Sequence, residues 1–164
     1  FFPQEGKYYA DGHASCGVWM LPSESLEHGQ ICPKCGRGLT IGVATRIENL
    51  GGSHKSKHSK RVEYIVPLAE IIAESKGLKS AQSMTVETIY QQMTEKIGNE
   101  FFILRKAELR EVEALGFSDI AKGLDQMRSG KVEVKPGYDG VYGVVLVFGK
   151  QGTVEYSAQL SLEI

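Results

Sequence analysis

His13-Ala14-Ser15-Cys16 and Cys32-Pro33-Lys34-Cys35-Gly36 are the two stretches that decide the fold, because together they contain all three cysteines of the 164-residue chain. Each has two candidate ligands separated by two residues, a spacing that lets both side chains turn back onto one cation. Fifteen residues separate the two stretches' nearest cysteines, a gap typical of a small zinc ribbon. The pattern predicts a zinc site made of three thiolates and a histidine.

The fourth ligand is open between two histidines. His13 has the same spacing to Cys16 that Cys32 has to Cys35, which favours it, whereas His28 lies just before Gly29 and close to the second pair. The alternative to a metal site is a set of buried apolar thiols, or one disulfide with one cysteine left over, although an odd number of cysteines argues against a disulfide framework. Because four protein ligands leave no position for water, we expect the metal to stabilise the fold and not to perform chemistry.

Overall composition excludes a strongly charged or membrane-spanning chain. Nineteen basic and twenty acidic residues give a formal charge of −1, so any surface that attracts nucleic acid must be local. We see no apolar run long enough to span a bilayer and no signal peptide, and reduced cysteines favour a cytoplasmic location. The chain begins with Phe1-Phe2-Pro3 and lacks an initiator methionine, so we expect it to be a piece of a longer protein.

The hydrophobic pattern predicts a chain of the α+β class in three parts. These are a zinc-ribbon-like module over residues 1–50, a basic linker over residues 51–66, and a mostly helical domain over residues 67–164 that ends in a short antiparallel sheet. We expect residues 5–12 to be extended. The predicted helices cover residues 22–29, 43–50, 68–76, 83–98, 107–115 and 118–128, and the predicted strands cover residues 62–66, 131–134, 141–148 and 153–162.

Apolar spacing also predicts which helical faces are shared or buried. In the helix over residues 43–50, Val43, Ile47 and Leu50 lie on one face and Arg46 on another. We expect the run Phe101-Phe102-Ile103-Leu104 to be buried as a whole. The remaining inward positions are Leu68, Ile71, Ile72, Val86, Ile89, Tyr90, Met93, Ile97, Ile120, Leu124 and Met127.

Residues 53–61 form a basic run without any apolar member. One interpretation is a solvated loop, because such a composition cannot offset the entropy lost on ordering. The other is a hairpin tip whose cations contact phosphates. The two histidines of this run are four residues apart, but the absence of a nearby carboxylate or thiolate argues against a second metal site.

Six segments occur along the chain in an order that indicates a family. They are residues 2–9 (FPQEGKYY), 11–18 (DGHASCGV), 31–36 (ICPKCG), 39–43 (LTIGV) with 46–48 (RIE), 65–68 (IVPL) with 70–72 (EII), and 136–143 (PGYDGVYG). This order resembles the region C-terminal to the catalytic domain in the endonuclease Q family, whose members have also been labelled PHP-domain phosphoesterases or helicase-like proteins.

The resemblance implies a DNA-repair nuclease that nicks the strand 5′ to deaminated bases such as uracil and hypoxanthine, and at abasic sites. In that family a metal-dependent PHP domain precedes the zinc module and cleaves the phosphodiester. We find no His-x-His start and no cluster of His, Asp and Glu suited to hydrolytic metals in this sequence. We therefore expect this chain to bind damaged double-stranded DNA beside an N-terminal PHP domain of the same protein, and not to cut DNA itself.

The expected DNA contacts are aromatic and basic side chains near these motifs. In the segment 136–143, glycines allow close approach of the backbone and tyrosines offer faces for stacking, although the tyrosines of a hairpin can instead pack on the sheet. Asp139 fits a turn. The expected contact residues are Lys7, Tyr8, Tyr9, Arg46, Lys55, Lys57, Lys60, Arg61, Tyr138 and Tyr142.

Two other classes of function compete with this interpretation. A zinc-dependent protein interaction module without a DNA role fits the nearly neutral charge. A hydrolase in its own right would need an open position on the zinc ion, or a second metal at His54 and His58.

Overall fold

The computed structural model of the chain describes residues 2–51 and 62–149. Internal contacts divide these residues into two compact units. The first, called the knuckle unit below, contains residues 2–51, 62 and 134–145; the second, the helical unit, contains residues 63–133 and 146–149. Residues 134–145 follow the helices in sequence but group with the N-terminal segment. The described part has seven α-helices and two two-stranded antiparallel sheets, which confirms the predicted fold class.

The knuckle unit is built on a short antiparallel hairpin. Strand β1 (Asp11–His13) pairs with β2 (Val18–Met20), and Gly12 lies opposite Trp19. A 3-10 turn over Ala14–Cys16 connects the two strands. Helices α1 (Pro22–Glu27) and α2 (Val43–Leu50) follow, and both confirm helices predicted from the sequence.

The N-terminal segment differs from the expectation of an extended chain over residues 5–12. A 3-10 turn covers Pro3–Glu5, and the backbone N–H of Tyr9 donates to the carbonyl of Gly6, so the chain turns repeatedly before β1 begins. The prediction was wrong for residues 5–9, because glycine and polar residues at these positions favour tight turns over a strand, and it was right for Asp11 and Gly12, which belong to β1.

Helix α2 buries the face that carries small side chains and exposes the face that carries its large apolar side chains. Ala44 and Thr45 are buried, whereas the side chains of Val43, Ile47 and Leu50 are 52%, 44% and 66% exposed. The predicted common face of these three residues therefore lies at the surface. The buried apolar cluster of this unit is small and consists of Val18, Met20, Cys32 and Leu39, with Cys16 packed against it.

The helical unit contains helices α3 (Leu68–Ser75), α4 (Met84–Lys96), α5 (Glu100–Arg105), α6 (Leu109–Ala114) and α7 (Ser118–Arg128). Side chains of Ser83 and Asn99 cap α4 and α5 by accepting backbone N–H bonds. Helix α3 packs on α4 and α7, and α7 also packs on α5 and α6. The core is aliphatic and comprises Val66, Leu68, Ile71, Ile72, Val86, Met93, Ile103, Leu104, Val112, Ile120, Leu124 and Val147, all less than 2% exposed.

Only half of the run Phe101-Phe102-Ile103-Leu104 is buried, so the expectation for the whole run was wrong. Ile103 and Leu104 lie in the core, but Phe101 and Phe102 are 63% and 40% exposed. The reason is the helix itself, because successive residues of an α-helix point in directions 100° apart and four of them cannot share one face.

Strands β3 (Glu133–Lys135) and β4 (Val144–Leu146) form the second sheet. The chain beyond β4 is held by Glu74 of α3, whose carboxylate accepts the backbone N–H groups of Val147 and Phe148, each at 2.7 Å. The strand predicted over residues 153–162 lies outside the described residues. The strand predicted over residues 62–66, all of which the structure describes, is absent, since the N–H of Val66 donates to Sδ of Met127 and not to a neighbouring strand. In the described ranges, no helix combines the length and apolarity that crossing a membrane requires.

One carboxylate joins three helices of the helical unit. Glu100, at the start of α5, accepts the backbone N–H of Leu68 at 2.8 Å and the hydroxyl of Tyr90 at 3.1 Å. The first bond caps the N-terminus of α3 and the second joins α5 to α4. Glu100 is thus the hydrogen-bond acceptor for both the Leu68 N–H and the Tyr90 hydroxyl.

We expect Glu100→Ala to lower the free energy of unfolding by about 1–3 kcal/mol, because it leaves the N–H of Leu68 and the hydroxyl of Tyr90 without their acceptor. Glu113→Ala on α6, where the side chain is exposed, is the matched control and should change it by less than about 0.5 kcal/mol. Urea unfolding followed by far-UV circular dichroism measures both. Equal midpoints for the two variants would contradict the bridging role of Glu100.

Candidate metal centre and adjoining surface

Four potential ligands converge at one end of the β1–β2 hairpin. The ligand atoms of His13, Cys16, Cys32 and Cys35 all lie within 4.8 Å of one another, and all three cysteines are free thiols. The Sγ atom of Cys35 is 3.5 Å from Nδ1 of His13. One imidazole and three thiols are a donor set that tetrahedral zinc sites use, so the geometry can hold a metal ion. His28 is exposed at the end of α1 and is not a member of this cluster.

Local turns bring the ligands of each pair together. In the first, the N–H of Gly17 donates to the carbonyl of Ala14, and Gly17 adopts a φ of 60° that favours glycine. In the second, the N–H of Gly36 donates to the carbonyl of Cys32 at 2.8 Å. Lys34 joins the two, because its Nζ donates to the carbonyl of Cys16 at 2.8 Å. The ammonium group of this residue thus fixes the backbone of the opposite pair.

The thiols differ in acidity because their hydrogen bonds differ. Burial opposes ionisation of Cys32, but backbone N–H groups of Lys34 and Cys35 outweigh it and lower the pKa of Cys32 to about 6. A hydrogen bond with Cys35, and then burial, raises the pKa of Cys16 to about 11. Without a metal, the protein therefore favours the thiolate at Cys32 and opposes it at Cys16, and a bound cation would favour the thiolate at both.

The segment after β3 reaches the first knuckle through Asp139. Its Oδ2 accepts the backbone N–H of Ala14 at 2.6 Å, and its Oδ1 accepts the hydroxyl of Thr40 at 2.6 Å. The bond from Thr40, followed by that from Ala14, holds the pKa of Asp139 below its ordinary value. The predicted turn role of Asp139 was thus incomplete, since this side chain also makes two long-range contacts.

Asp139 and Gly140 form the tip of a tight hairpin. The backbones of Tyr138 and Val141 exchange two hydrogen bonds of 3.0 and 2.8 Å. Both tip residues have positive φ, 43° for Asp139 and 89° for Gly140, as in the two-residue turns that Asp-Gly favours. The ring of Tyr138 lies where a side chain on Gly12 would be, so this tyrosine packs on β1.

Three of the expected DNA-contact residues form one exposed surface, here called the tyrosine surface: Lys7, Tyr8 and Tyr142. The Nζ of Lys7 lies 4.5 Å from the centroid of the Tyr142 ring, which is a cation–π contact. Tyr142 is 68% exposed and Tyr8 is 52% exposed. The backbone N–H of Gly140 donates to the carbonyl of Lys7, which fixes the hairpin against the N-terminal turn.

The other expected contact residues are distributed differently. Tyr9 and Tyr138 are half-buried, and Arg46 is exposed on α2. Lys55, Lys57, Lys60 and Arg61 lie outside the described residues. Trp19 is not among the predicted contact residues, but it is 42% exposed and lies opposite Gly12 in the β1–β2 pair. Strand alternation between buried Val18 and Met20 is the signal that would have placed Trp19 outward.

Comparisons with known proteins agree with the resemblance noted in the sequence. A family described as the MJ0043 C-terminal domain matches residues 67–131. The uncharacterized protein MJ0043 of Methanocaldococcus jannaschii is 29% identical over 98% of this chain, and the uncharacterized protein YqxK of Bacillus subtilis is 26% identical over 87% of it. The chain spans 20% and 33% of the length of these two relatives.

Two solved structures are similar in fold. The lesion-specific endonuclease Q of Pyrococcus furiosus superimposes with a TM-score of 0.73 at 27% identity, covering 89% of this chain and 36% of that one. An endonuclease Q bound to a 27-mer duplex with an abasic lesion at the active site gives 0.70 at 26% identity, covering 92% and 39%. The resemblance to endonuclease Q is therefore confirmed in sequence and in fold over most of the chain.

We expect Gly12→Ala to destabilise the knuckle unit by about 1–3 kcal/mol, because the added methyl group would overlap the ring of Tyr138. Thermal unfolding followed by the fluorescence of Trp19, the only tryptophan in the chain, reports on this position directly.

The double variant Gly12→Ala with Tyr138→Ala is the control, because removing the ring removes the overlap. The second change should therefore cost less in the Gly12→Ala background than in the wild-type chain. Strictly additive effects of the two substitutions would show that the methyl group does not meet the ring.

Proposed function

We propose that this chain is the zinc-binding and DNA-binding region of an endonuclease Q-like repair nuclease that acts on deaminated bases and abasic sites. The observation that carries the proposal is the fold similarity to endonuclease Q over 89% of the chain. One of the similar structures is a complex with duplex DNA that contains an abasic lesion. Because the chain spans only 36% and 39% of those proteins, the cutting activity is assigned to the complete protein and not to this region.

In this proposal His13, Cys16, Cys32 and Cys35 hold one Zn²⁺ ion. The donor set and the convergence of the ligand atoms support it. Four protein ligands saturate the ion, so what it supplies is folding free energy and not a reactive water. In the described ranges this is the one group of three or more His, Cys, Asp or Glu side chains that could hold a metal, so catalytic metals are assigned to a PHP domain elsewhere in the protein.

The tyrosine surface is the proposed DNA contact. Lys7 supplies a positive charge for a backbone phosphate, and the exposed ring of Tyr142 offers a face on which an unstacked base can lie. Such a surface suits damaged DNA, because a base that is extruded or missing exposes its neighbours to stacking. The remaining proposed contacts, which would add charge or further aromatic faces, are Tyr8, Tyr9, Arg46, Lys55, Lys57, Lys60, Arg61 and Tyr138.

The apolar stripe on α2 favours a second candidate function, a zinc-dependent protein interaction module. Val43, Ile47 and Leu50 follow one another at helical spacing and are each at least 44% exposed. A protein partner could cover such a stripe without any DNA contact. DNA affinity that is absent, or insensitive to salt, would favour this alternative.

We expect the chain to bind one Zn²⁺ per molecule, and His13→Ala to weaken that affinity by at least about tenfold because a ligand is lost. His28→Ala is the matched control and should leave the affinity unchanged. Competition with a chromophoric chelator gives both values. If His28→Ala had the larger effect, the assignment of the fourth ligand would be wrong.

We expect the zinc-loaded chain to bind a duplex with a single abasic site, and Tyr142→Ala to weaken this binding by about 5- to 150-fold, because base stacking on an aromatic ring contributes roughly 1–3 kcal/mol. Tyr142→Phe keeps the ring and should bind within about threefold of the wild-type chain. Fluorescence anisotropy with a labelled duplex measures these affinities.

The same titration at two salt concentrations tests the role of charge. Lys7→Ala should reduce the slope of log affinity against log salt by about one, because one phosphate contact is lost. A lesion-free duplex of the same sequence separates recognition of damage from general backbone binding. No measurable binding to either duplex would refute the proposed DNA-binding role.

A further inference from the structure

Asp139 joins the candidate metal centre to the tyrosine surface. Ala14, whose N–H it accepts, lies directly after His13 and two residues before Cys16. A cation held by those two residues would restrain the backbone between them, which includes the Ala14 N–H group. Both contacts of the carboxylate are long-range, 125 residues to Ala14 and 99 residues to Thr40 along the chain. They are therefore tertiary anchors and not local turn bonds.

The second partner of Asp139 belongs to the same framework. The backbones of Thr40 and Gly12 exchange two hydrogen bonds of 2.9 and 2.8 Å, so Thr40 is fixed against the middle of β1. The carboxylate thus binds the turn of the β1–β2 hairpin at Ala14 and, through Thr40, the segment that pairs with β1 at Gly12. That turn also carries two candidate metal ligands, and both bonds are short, as is usual for a charged acceptor.

The other side of this connection is the tyrosine surface. Asp139 shares the two-residue tip with Gly140, whose N–H donates to the carbonyl of Lys7. Tyr142 lies two residues after Gly140, and its ring stacks under the Lys7 ammonium group. A movement of the tip formed by Asp139 and Gly140 would therefore change the position of Tyr142 relative to Lys7, two of the three residues of the tyrosine surface.

We propose that Asp139 is a positioning residue that couples occupancy of the metal centre to the geometry of the tyrosine surface, so that the affinity of this surface for DNA depends on the bound metal. The proposal rests on the proposed DNA-binding function and adds its regulation. The metal acts at a distance here, since a cation held by His13 and the cysteines makes no contact with DNA in this scheme. In this proposal the bound metal orders the N–H group of Ala14, and this group holds the hairpin tip through Asp139.

Two substitutions of Asp139 distinguish the effect of its carboxylate hydrogen bonds from the effect of its backbone conformation in the turn. Asp139→Gly retains a residue that accepts positive φ but removes both hydrogen bonds. Asp139→Asn also tolerates positive φ and keeps an oxygen that can accept the Ala14 N–H. Because Asp139 is not a proposed metal ligand, both variants should still bind one Zn²⁺ per chain.

The first measurement is hydrogen exchange of the zinc-loaded chains, which does not involve DNA. We expect the backbone N–H groups of Gly140 and Val141 to exchange at least about tenfold faster in Asp139→Gly than in the wild-type chain, because the hairpin loses its anchors. Exchange in α2 should be unchanged, and Asp139→Asn should lie near the wild-type chain. Equal exchange at the hairpin in all three zinc-loaded chains, or exchange there that is the same in the zinc-free and the zinc-loaded wild-type chain, would overturn the coupling.

The second measurement is the affinity for an abasic duplex with and without zinc. In the wild-type chain, zinc removal should weaken binding by about tenfold or more, the usual size of coupling between sites. Zinc-loaded Asp139→Gly should bind as weakly as the zinc-free wild-type chain, and Asp139→Asn within about threefold of the loaded wild-type chain. Full affinity in zinc-loaded Asp139→Gly would overturn the proposal. A wild-type chain that binds no DNA would instead refute the proposed function, and the exchange measurement would still decide the coupling.

Discussion

The close approach of residues 136–143 to the N-terminal segment is the constraint on which the knuckle unit depends. Gly137 and Gly143 lie so near the backbone carbonyls of Gly6 and Gln4 that neither position has room for a side chain. In return, the N–H of Gly137 donates to the carbonyl of Gln4, and that of Gly143 to the carbonyl of Glu5. Without glycine at these positions the two backbones would separate, and Tyr142 would no longer reach the ammonium group of Lys7.

The long-range contact of residues 136–143 with the N-terminal segment separates the features that could be predicted from the sequence from those that could not. The spacing of His13, Cys16, Cys32 and Cys35 is local information, and it predicted a group of side chains that the structure does bring together. Helices with clear start and end signals were predicted for the same reason, since caps and periodicity act over a few residues. The return of residues 134–145 to the first unit was not predictable, because a contact between Asp139 and Ala14 over 125 residues leaves no periodic signal in one sequence.

The errors at helix faces have a related origin. Apolar spacing identifies a stripe, but only tertiary contacts decide whether the stripe is covered. On α2 the neighbouring backbone of Tyr8 and Tyr9 accepts N–H bonds from Val43 and Ala44. That contact buries the helix face with the small residues Ala44 and Thr45, and the face with Ile47 and Leu50 remains at the surface.

The small hydrophobic core of the knuckle unit explains why a metal centre would stabilise this part of the chain. Units of about 60 residues bury too little apolar surface to be stable by packing alone, and they commonly rely on a metal or a disulfide. The buried apolar cluster of the knuckle unit has four members, and one of them, Cys32, is itself a candidate ligand. A metal held there would strengthen the same place where packing is weakest, since its binding free energy adds to folding.

The two units differ in how their charges are distributed, which bears on the proposed DNA contact. Residues 63–133 carry nine basic and twelve acidic side chains, so the described helical unit repels a phosphate backbone on average. The knuckle unit has five basic and six acidic residues among those described, but Asp11 is fully buried and Asp139 is hydrogen-bonded to Ala14 and Thr40. Its exposed face is therefore less acidic than the count implies. A net charge near zero is compatible with the proposed DNA binding when cations and aromatic rings are concentrated on one face, and the contact between Lys7 and Tyr142 is a local concentration of this kind.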